Sequence, residues 1–401
     1  MTEIGLWVYP WDLLDGGIEP VVARLGGLGV NSLSVTTLYH NGRFLLPKRR
    51  RSPSYLAAPG VSYAPLRPDL YEADWMPQPD TEAIDADLFP RLRAAASSCG
   101  IQLRAWTIAF HDQPRPGDHV VDALGDVHPF ALCPASAENR RYLQALVGDL
   151  SSRGWFDAID LESYAYHGYR HGSHHERDGL LLGNLELFLL SLCFCRACTA
   201  AAEDRNVDAR SVQASVEQFL RGRMQHDGPG EGTTGLWQLT SYLVNHPDVY
   251  AYLRSALANT ARVLGDVRDT AAVDAKAAPR PILGITAATF LQPGAAAWQE
   301  GLALTPELWT LVDRLVLLAY FRDPKDVYDD VWFVLDSTGH RPERVVLGQS
   351  LMPSEAPDLA NVLAKVGLAR DMGIDKISFY NYGFLTEERV RWLAAISNSL
   401  G

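Results

Sequence analysis

Trp155-Phe156-Asp157-Ala158-Ile159-Asp160-Leu161-Glu162-Ser163-Tyr164 reads as a short buried strand that ends in acid. Side chains alternate along a strand, so Ile159 and Leu161 project to one side and Asp160 and Glu162 to the other. The apolar pair can pack outward against helices while both carboxylates point inward, near the C-terminal end of the strand. In a closed barrel of parallel strands that end is where catalytic groups gather. The flanking sequence decides whether such a barrel exists.

Toward the N-terminus, strand patterns cover residues 4–9, 31–40 and 101–110; toward the C-terminus they cover 282–288, 314–321, 344–350 and 376–383. Helical patterns fall between them, at 18–28, 88–98, 137–153, 326–337 and 356–371. Eight strands alternating with helices predict parallel strands joined by crossover helices, and the count of eight selects closure. No G-x-G-x-x-G follows the first strand, which speaks against a dinucleotide fold. The expected fold is α/β, a (β/α)8 TIM barrel running through residues 1–401 as one domain. A long loop after strand two, 41–88, carries Phe44, Tyr55, Tyr63, Tyr71 and Trp75 and is expected to be a packed lid or cleft wall. A helical insertion is expected after strand four, at 163–235, closed by one long helix at 236–267.

Composition narrows the partners. The 401 residues are 47% hydrophobic, enough for a large core, and a net charge of −12 argues against nucleic acid, whose phosphates need a basic face. The one basic run, Lys48-Arg49-Arg50-Arg51, reads as a solvated loop. No apolar run approaches the ~18 residues of a membrane span, and the first residues show no basic or apolar leader pattern. The expectation is a cytoplasmic protein with no membrane partner and no stated oligomeric state. Five cysteines, three of them bunched, suit a reducing compartment better than a disulfide framework.

Glu162 is the first candidate, as the general acid or the nucleophile, and Asp160 its electrostatic partner, with burial expected to raise the pKa of one of the pair. Asp323, after strand six, is the candidate second carboxylate. Strand ends also carry Tyr9, Trp11, Tyr39, His40, Trp106, His111, Tyr164, His167, Tyr320, Gln349, Tyr380, Asn381 and Tyr382. Flat rings that stack on sugar faces, beside a few polar groups, make a plausible carbohydrate cleft. Cys193-Phe194-Cys195-Arg196-Ala197-Cys198 places three thiols at C-x-C-x-x-C, on a helix, able to converge on a tetrahedral metal. A fourth ligand has to come from elsewhere in the chain. A closed thiolate site makes that metal structural.

Leu28-Gly29-Val30-Asn31 resembles the helix-to-strand joint of many sugar-handling barrels, and Leu132-Cys133-Pro134 a segment that precedes the fourth strand in glycoside-hydrolase-like barrels. Residues 156–162 resemble the D-G-x-D-x-D-x-E signature of chitinase-type barrels. Ala158 replaces the Gly and Tyr164 stands where the catalytic Glu belongs, so substrate-assisted hydrolysis does not carry over. The cysteine segment is similar to the zinc-binding C-Y-C-x-x-C of family 42 β-galactosidases, where an upstream cysteine completes the site; the resemblance implies Cys133 as the fourth ligand, with Cys99 the alternative, a structural zinc and no cofactor for catalysis. Together these resemblances imply a divergent glycoside-hydrolase-type barrel that cleaves a glycosidic bond in a small oligosaccharide or glycoside. Two other readings of the same barrel stay open. One is a metal-dependent hydrolase using His167, His171, His174 and Glu176; the other is a catalytically inert carbohydrate-binding barrel.

Overall fold

The computed structural model describes residues 2–72, 74–169, 177–225, 234–273, 280–288 and 302–400. Eight parallel strands form the barrel: β1 (Glu3–Val8), β2 (Ser32–Tyr39), β3 (Gln102–Ile108), β4 (Ala158–Glu162), β5 (Ile282–Ala288), β6 (Arg314–Leu318), β7 (Val345–Ser350) and β8 (Lys376–Tyr380). Each pairs in parallel with the next, and β8 pairs with β1, which closes the ring. The strands are short apolar runs because both of their faces are covered: one by helices, the other by the barrel interior.

Two of the helices outside the barrel, Thr81–Asp85 and Leu359–Asp371, start where an aspartate accepts from a first-turn N–H. Asp80 accepts from Ala83 N at 2.8 Å, and Asp358 accepts from Asn361 N at 2.8 Å. At the joint between the helix Ile18–Gly27 and β2, Gly29 has φ +89°, and a Cβ there would come within 2.1 Å of Ser397 Oγ. Only glycine fits both constraints.

The barrel interior is held by charge as well as by packing. Arg104 on β3 contacts Asp160 on β4 through Nε (2.7 Å) and Nη2 (2.6 Å), and Glu3 on β1 through Nη1 (2.9 Å). Arg314 on β6 reaches Glu3 at 3.3 Å and Asp160 at 4.0 Å. Burial pushes the Glu3 carboxyl up, but Arg104 and Arg314 outweigh it and hold it below its usual value. Gly284 on β5 leaves room for this cluster, since a Cβ there would lie 1.9 Å from Asp160 Oδ1.

Three connections differ from the sequence expectation. The segment after β2 contains a small antiparallel hairpin, Gly42–Leu45 with Ser54–Ala57, and a two-residue strand at Val61–Ser62 that pairs with the end of β2. Before Cys133 lies a second hairpin, His119–Val121 with Val127–Leu132, sewn to the end of β3 through a His111–Ala131 bridge. The single long helix expected at 236–267 is two helices, Thr234–Asn245 and Pro247–Val273. Pro247 starts the second because it cannot donate within the first.

The insertion after β4 builds a core of its own. Leu187, Phe188, Val216, Leu220 and Tyr252 are all buried in one cluster, separate from the barrel cluster. Among the described residues, no helix is long and apolar enough to cross a membrane.

Candidate functional site

Glu162 is the last residue of β4, and the chain turns immediately after it: Ser163 has φ +56° and its carbonyl accepts from Phe110 N at 2.9 Å. The carboxylate is partly buried and accepts one hydrogen bond, from Trp106 Nε1 at 2.7 Å. Burial raises its pKa to about 7, against a smaller lowering by the Trp106 bond. At neutral pH such a group is close to half protonated, which is the state a proton donor needs. The indole N–H favours the ionised form. Trp106→Phe is therefore expected to move the Glu162 titration further up, read as an upward shift of the alkaline limb in a pH–rate profile.

Aromatic side chains from four other strands surround this carboxyl. Tyr9 on the β1 exit hydrogen-bonds the hydroxyls of Tyr39 (2.9 Å) and Tyr380 (2.6 Å). Tyr39 packs on Trp106 with ring centroids 5.2 Å apart, and Tyr320 on Tyr380 at 5.7 Å. Burial first, then neighbours that include Glu162, push the phenols of Tyr39, Tyr320 and Tyr380 above their usual value. They stay protonated at neutral pH and can donate to hydroxyl or carbonyl oxygens. Beyond Tyr39 runs a row of imidazoles from the exits of β2, β3 and β4. His40 stacks on Tyr39 at 4.1 Å, His111 follows at 4.8 Å and His167 at 4.6 Å.

Other residues expected at the mouth sit elsewhere. Asp323 is exposed and caps the helix Pro324–Ser337, accepting from Lys325 N at 2.8 Å, the ordinary role of an Asp before Pro. Asp160 lies deeper and belongs to the Arg104 cluster, so burial rather than Asp160 raises Glu162. Trp11 is buried between the rings of Tyr9 (4.2 Å) and Tyr55 (4.3 Å), as packing rather than as an open wall. Gln349 donates to Ala319 O at 2.7 Å, and Asn381 Oδ1 accepts from Gly383 N at 3.0 Å. Tyr382 lies under Lys48, whose ammonium also donates to the Tyr382 and Leu385 carbonyls. Tyr164 is buried in the barrel core. His171, His174 and Glu176 fall outside the described residues.

The structure also brings a carboxylate to the end of strand seven that the sequence places several residues beyond it. Glu355 lies five residues beyond β7, on a loop that folds back so that its carboxylate accepts from Ser350 Oγ (2.9 Å) and Ser354 Oγ (2.6 Å). Burial first, and then the charges of neighbours that include both Glu162 and Glu355, push the Tyr320 phenol up.

The cysteines converge as their count suggested. Cys133, at the end of the second hairpin, has its sulfur 3.4 Å from those of Cys195 and Cys198 and 3.9 Å from that of Cys193. All four sulfurs lie within 4.8 Å of one another and all four residues are buried. Tetrahedral thiolate coordination at ~2.3 Å requires sulfurs roughly 3.8 Å apart, so the cluster can hold a metal ion. The segment is less helical than expected: Cys193 and Cys195 lie in the turn before the helix Arg196–Glu203, and only Cys198 is within it. Burial pushes the Cys133 and Cys198 thiols up, while hydrogen bonds with Cys133, Cys193 and Cys198 hold Cys195 low. A cation held among the four sulfurs would supply the charge that lets all of them ionise. Cys99, the alternative fourth ligand, is exposed and outside the cluster.

No protein-family model matches the sequence, and no curated protein matches it. Solved structures do share its fold. The glycoside hydrolase domain of PgaB (BpsB) from Bordetella bronchiseptica aligns over 95% of this chain and 94% of its own, at 12% identity and a TM-score of 0.61. The β-galactosidase of the psychrophilic Marinomonas ef1 aligns over 99% of this chain at 12% identity and a TM-score of 0.57. That of the haloarchaeon Halorubrum lacusprofundi aligns over 100% at 14% identity and 0.54. The chain spans only 59% and 57% of those two β-galactosidases. At these identities what is shared is the architecture, a closed barrel of eight parallel strands ringed by helices.

Proposed function

We propose that this protein is a glycoside hydrolase acting on a small oligosaccharide or glycoside, with Glu162 as its proton donor. The observation that carries the reading is the Glu162 carboxyl itself. It stands at the C-terminal end of a barrel strand, is raised by burial to about 7 and is framed by Trp106 and three protonated tyrosines. The fold neighbours named above, a glycoside hydrolase domain and two β-galactosidases, add support.

In this reading the protonated Glu162 gives its proton to the oxygen of the departing group as the glycosidic C–O bond breaks. Positive charge then develops on the sugar ring, and a second carboxylate meets it either directly or through a water. Glu355 fits that second role better than the surface cap Asp323, because its loop returns to the barrel mouth. Tyr39, Tyr320 and Tyr380 offer hydroxyls to the sugar, and the histidine row extends the polar lining toward β4. The four cysteines would hold a structural zinc; with all positions taken by sulfur, it has no open site for the reaction.

The test is a panel of aryl glycosides and short oligosaccharides incubated with the wild-type protein. Release from at least one member, diminished in Glu162→Gln and in Glu355→Gln, supports the reading. No release from any member contradicts it. Release that appears only on adding a divalent metal and survives Glu162→Gln favours the metal-dependent hydrolase instead.

A further inference from the structure

The loop that leaves Glu162 runs straight to the cysteine cluster. Four residues on, the Tyr166 hydroxyl lies 3.2 Å from Cys198 Sγ, and Asn259 Nδ2, from the helix Pro247–Val273, donates to that hydroxyl at 3.0 Å. The Asn259 bond uses the phenol oxygen as acceptor, which leaves the phenol proton to point at the sulfur. A metal-bound thiolate is a good acceptor for it. Tyr166 is buried at 4% exposure, packed within the cysteine cluster itself.

A second route joins the same two places. Cys133 ends the hairpin Val127–Leu132, whose Leu132 N donates to Phe110 O at 3.0 Å while Phe130 O accepts from Asp112 N at 2.6 Å. Phe110 N in turn bonds Ser163 O, the residue after Glu162. From the other side, Phe194 N donates to Val121 O (2.6 Å) and Tyr252 OH to Cys193 O (2.6 Å). The cluster is therefore the knot where the β3 hairpin, the β4 loop and the helical insertion meet.

We propose that Tyr166 is a positioning residue that ties the loop following Glu162 to the metal-thiolate centre, so that metal occupancy sets the order of residues 163–169. The proposal rests on the structural-metal reading above and extends it to the catalytic loop. Outer-shell partners of metal ligands orient them and tune their basicity, and their loss commonly weakens binding by about 10- to 100-fold. Any such coupling is reciprocal, so whatever orders the loop also retains the metal.

The experiment uses the full chain loaded with zinc and reads two quantities without substrate: zinc affinity by competition with a chromogenic chelator, and hydrogen exchange of amides 163–169. Tyr166→Phe keeps the ring and removes only the hydroxyl. It is expected to bind zinc with about 10- to 100-fold lower affinity. Its zinc-loaded form should also exchange about tenfold faster at 163–169, with the helix Ala209–Arg223 unchanged, the pattern of a local opening. Asn259→Ala, which frees the phenol without altering it, is expected to shift both readouts the same way and by less. Wild-type values for either quantity in Tyr166→Phe overturn the proposal, as does a wild-type chain that takes up no zinc. Neither readout involves turnover, so a wrong assignment of the reaction leaves this result standing.

Discussion

Glu162→Gln is expected to lower kcat/KM toward a glycoside with a poorly departing alcohol by about 100- to 10,000-fold, the range for loss of a positioned general acid. With a nitrophenyl leaving group, which departs without a proton, the loss should be much smaller. That contrast separates a missing proton donor from a merely disturbed cleft. The substitution is conservative because a glutamine oxygen can still accept from Trp106 Nε1.

The same variant should be more stable than wild type at alkaline pH, and the sign follows from the titration. The Glu162 carboxyl titrates near 7 in the folded protein, against a reference value of 4.5. Below pH 4.5 both folded and unfolded chains hold the proton and the residue has no effect on pH dependence. Between these values the unfolded chain releases it and the folded chain keeps it, so stability falls as pH rises. Above 7 the loss is complete, at about 3 kcal/mol for a shift of this size. Glutamine cannot ionise, so urea unfolding at pH 8 should show the variant ahead by that order, and the two equal near pH 4.

The second large effect concerns the barrel interior. Asp160→Asn leaves the buried guanidinium groups of Arg104 and Arg314 with Glu3 as their remaining carboxylate. Removing one member of a buried charge cluster costs about 3–5 kcal/mol, because the remaining charge is stranded without water. A drop in the denaturation midpoint of that order is expected, with kcat/KM measured well below the midpoint little changed. A variant that folds normally and loses turnover would instead return Asp160 to the chemistry.

Much of this was legible in the chain because strands announce themselves by period. Alternation of apolar and acidic residues put Glu162 at an inward-facing strand end, and the spacing of eight such runs gave closure. Spacing singles out the three thiols of the C-x-C-x-x-C segment, but it leaves the fourth open between Cys99 and Cys133 until the hairpin before Cys133 brings that sulfur to the other three. What stayed hidden depended on partners far away in sequence. Asp160 looks like Glu162 until Arg104, 56 residues earlier, is seen to hold it. Asp323 looks like a strand-end acid until its capping of Lys325 N is visible. Trp11 and Tyr382 follow strands, yet Tyr55 and Lys48 from the β2 hairpin cover them. That hairpin reads as a loop in the sequence because each of its strands is only four residues long and the stretch around them is rich in proline. Glu355 stands too far past strand seven to read as a strand-end acid, and its return to Ser350 depends on a loop conformation rather than on a strand.

The most direct measurement is the pH dependence of kcat/KM for a glycoside with a poorly departing alcohol that the wild type cleaves, repeated with Glu162→Gln. A proton donor at Glu162 predicts a wild-type rate that falls above a midpoint near pH 7, and a residual rate in the variant that has lost this limb. A variant that keeps the same alkaline limb, or that cleaves as fast as wild type, would show that the proton comes from elsewhere.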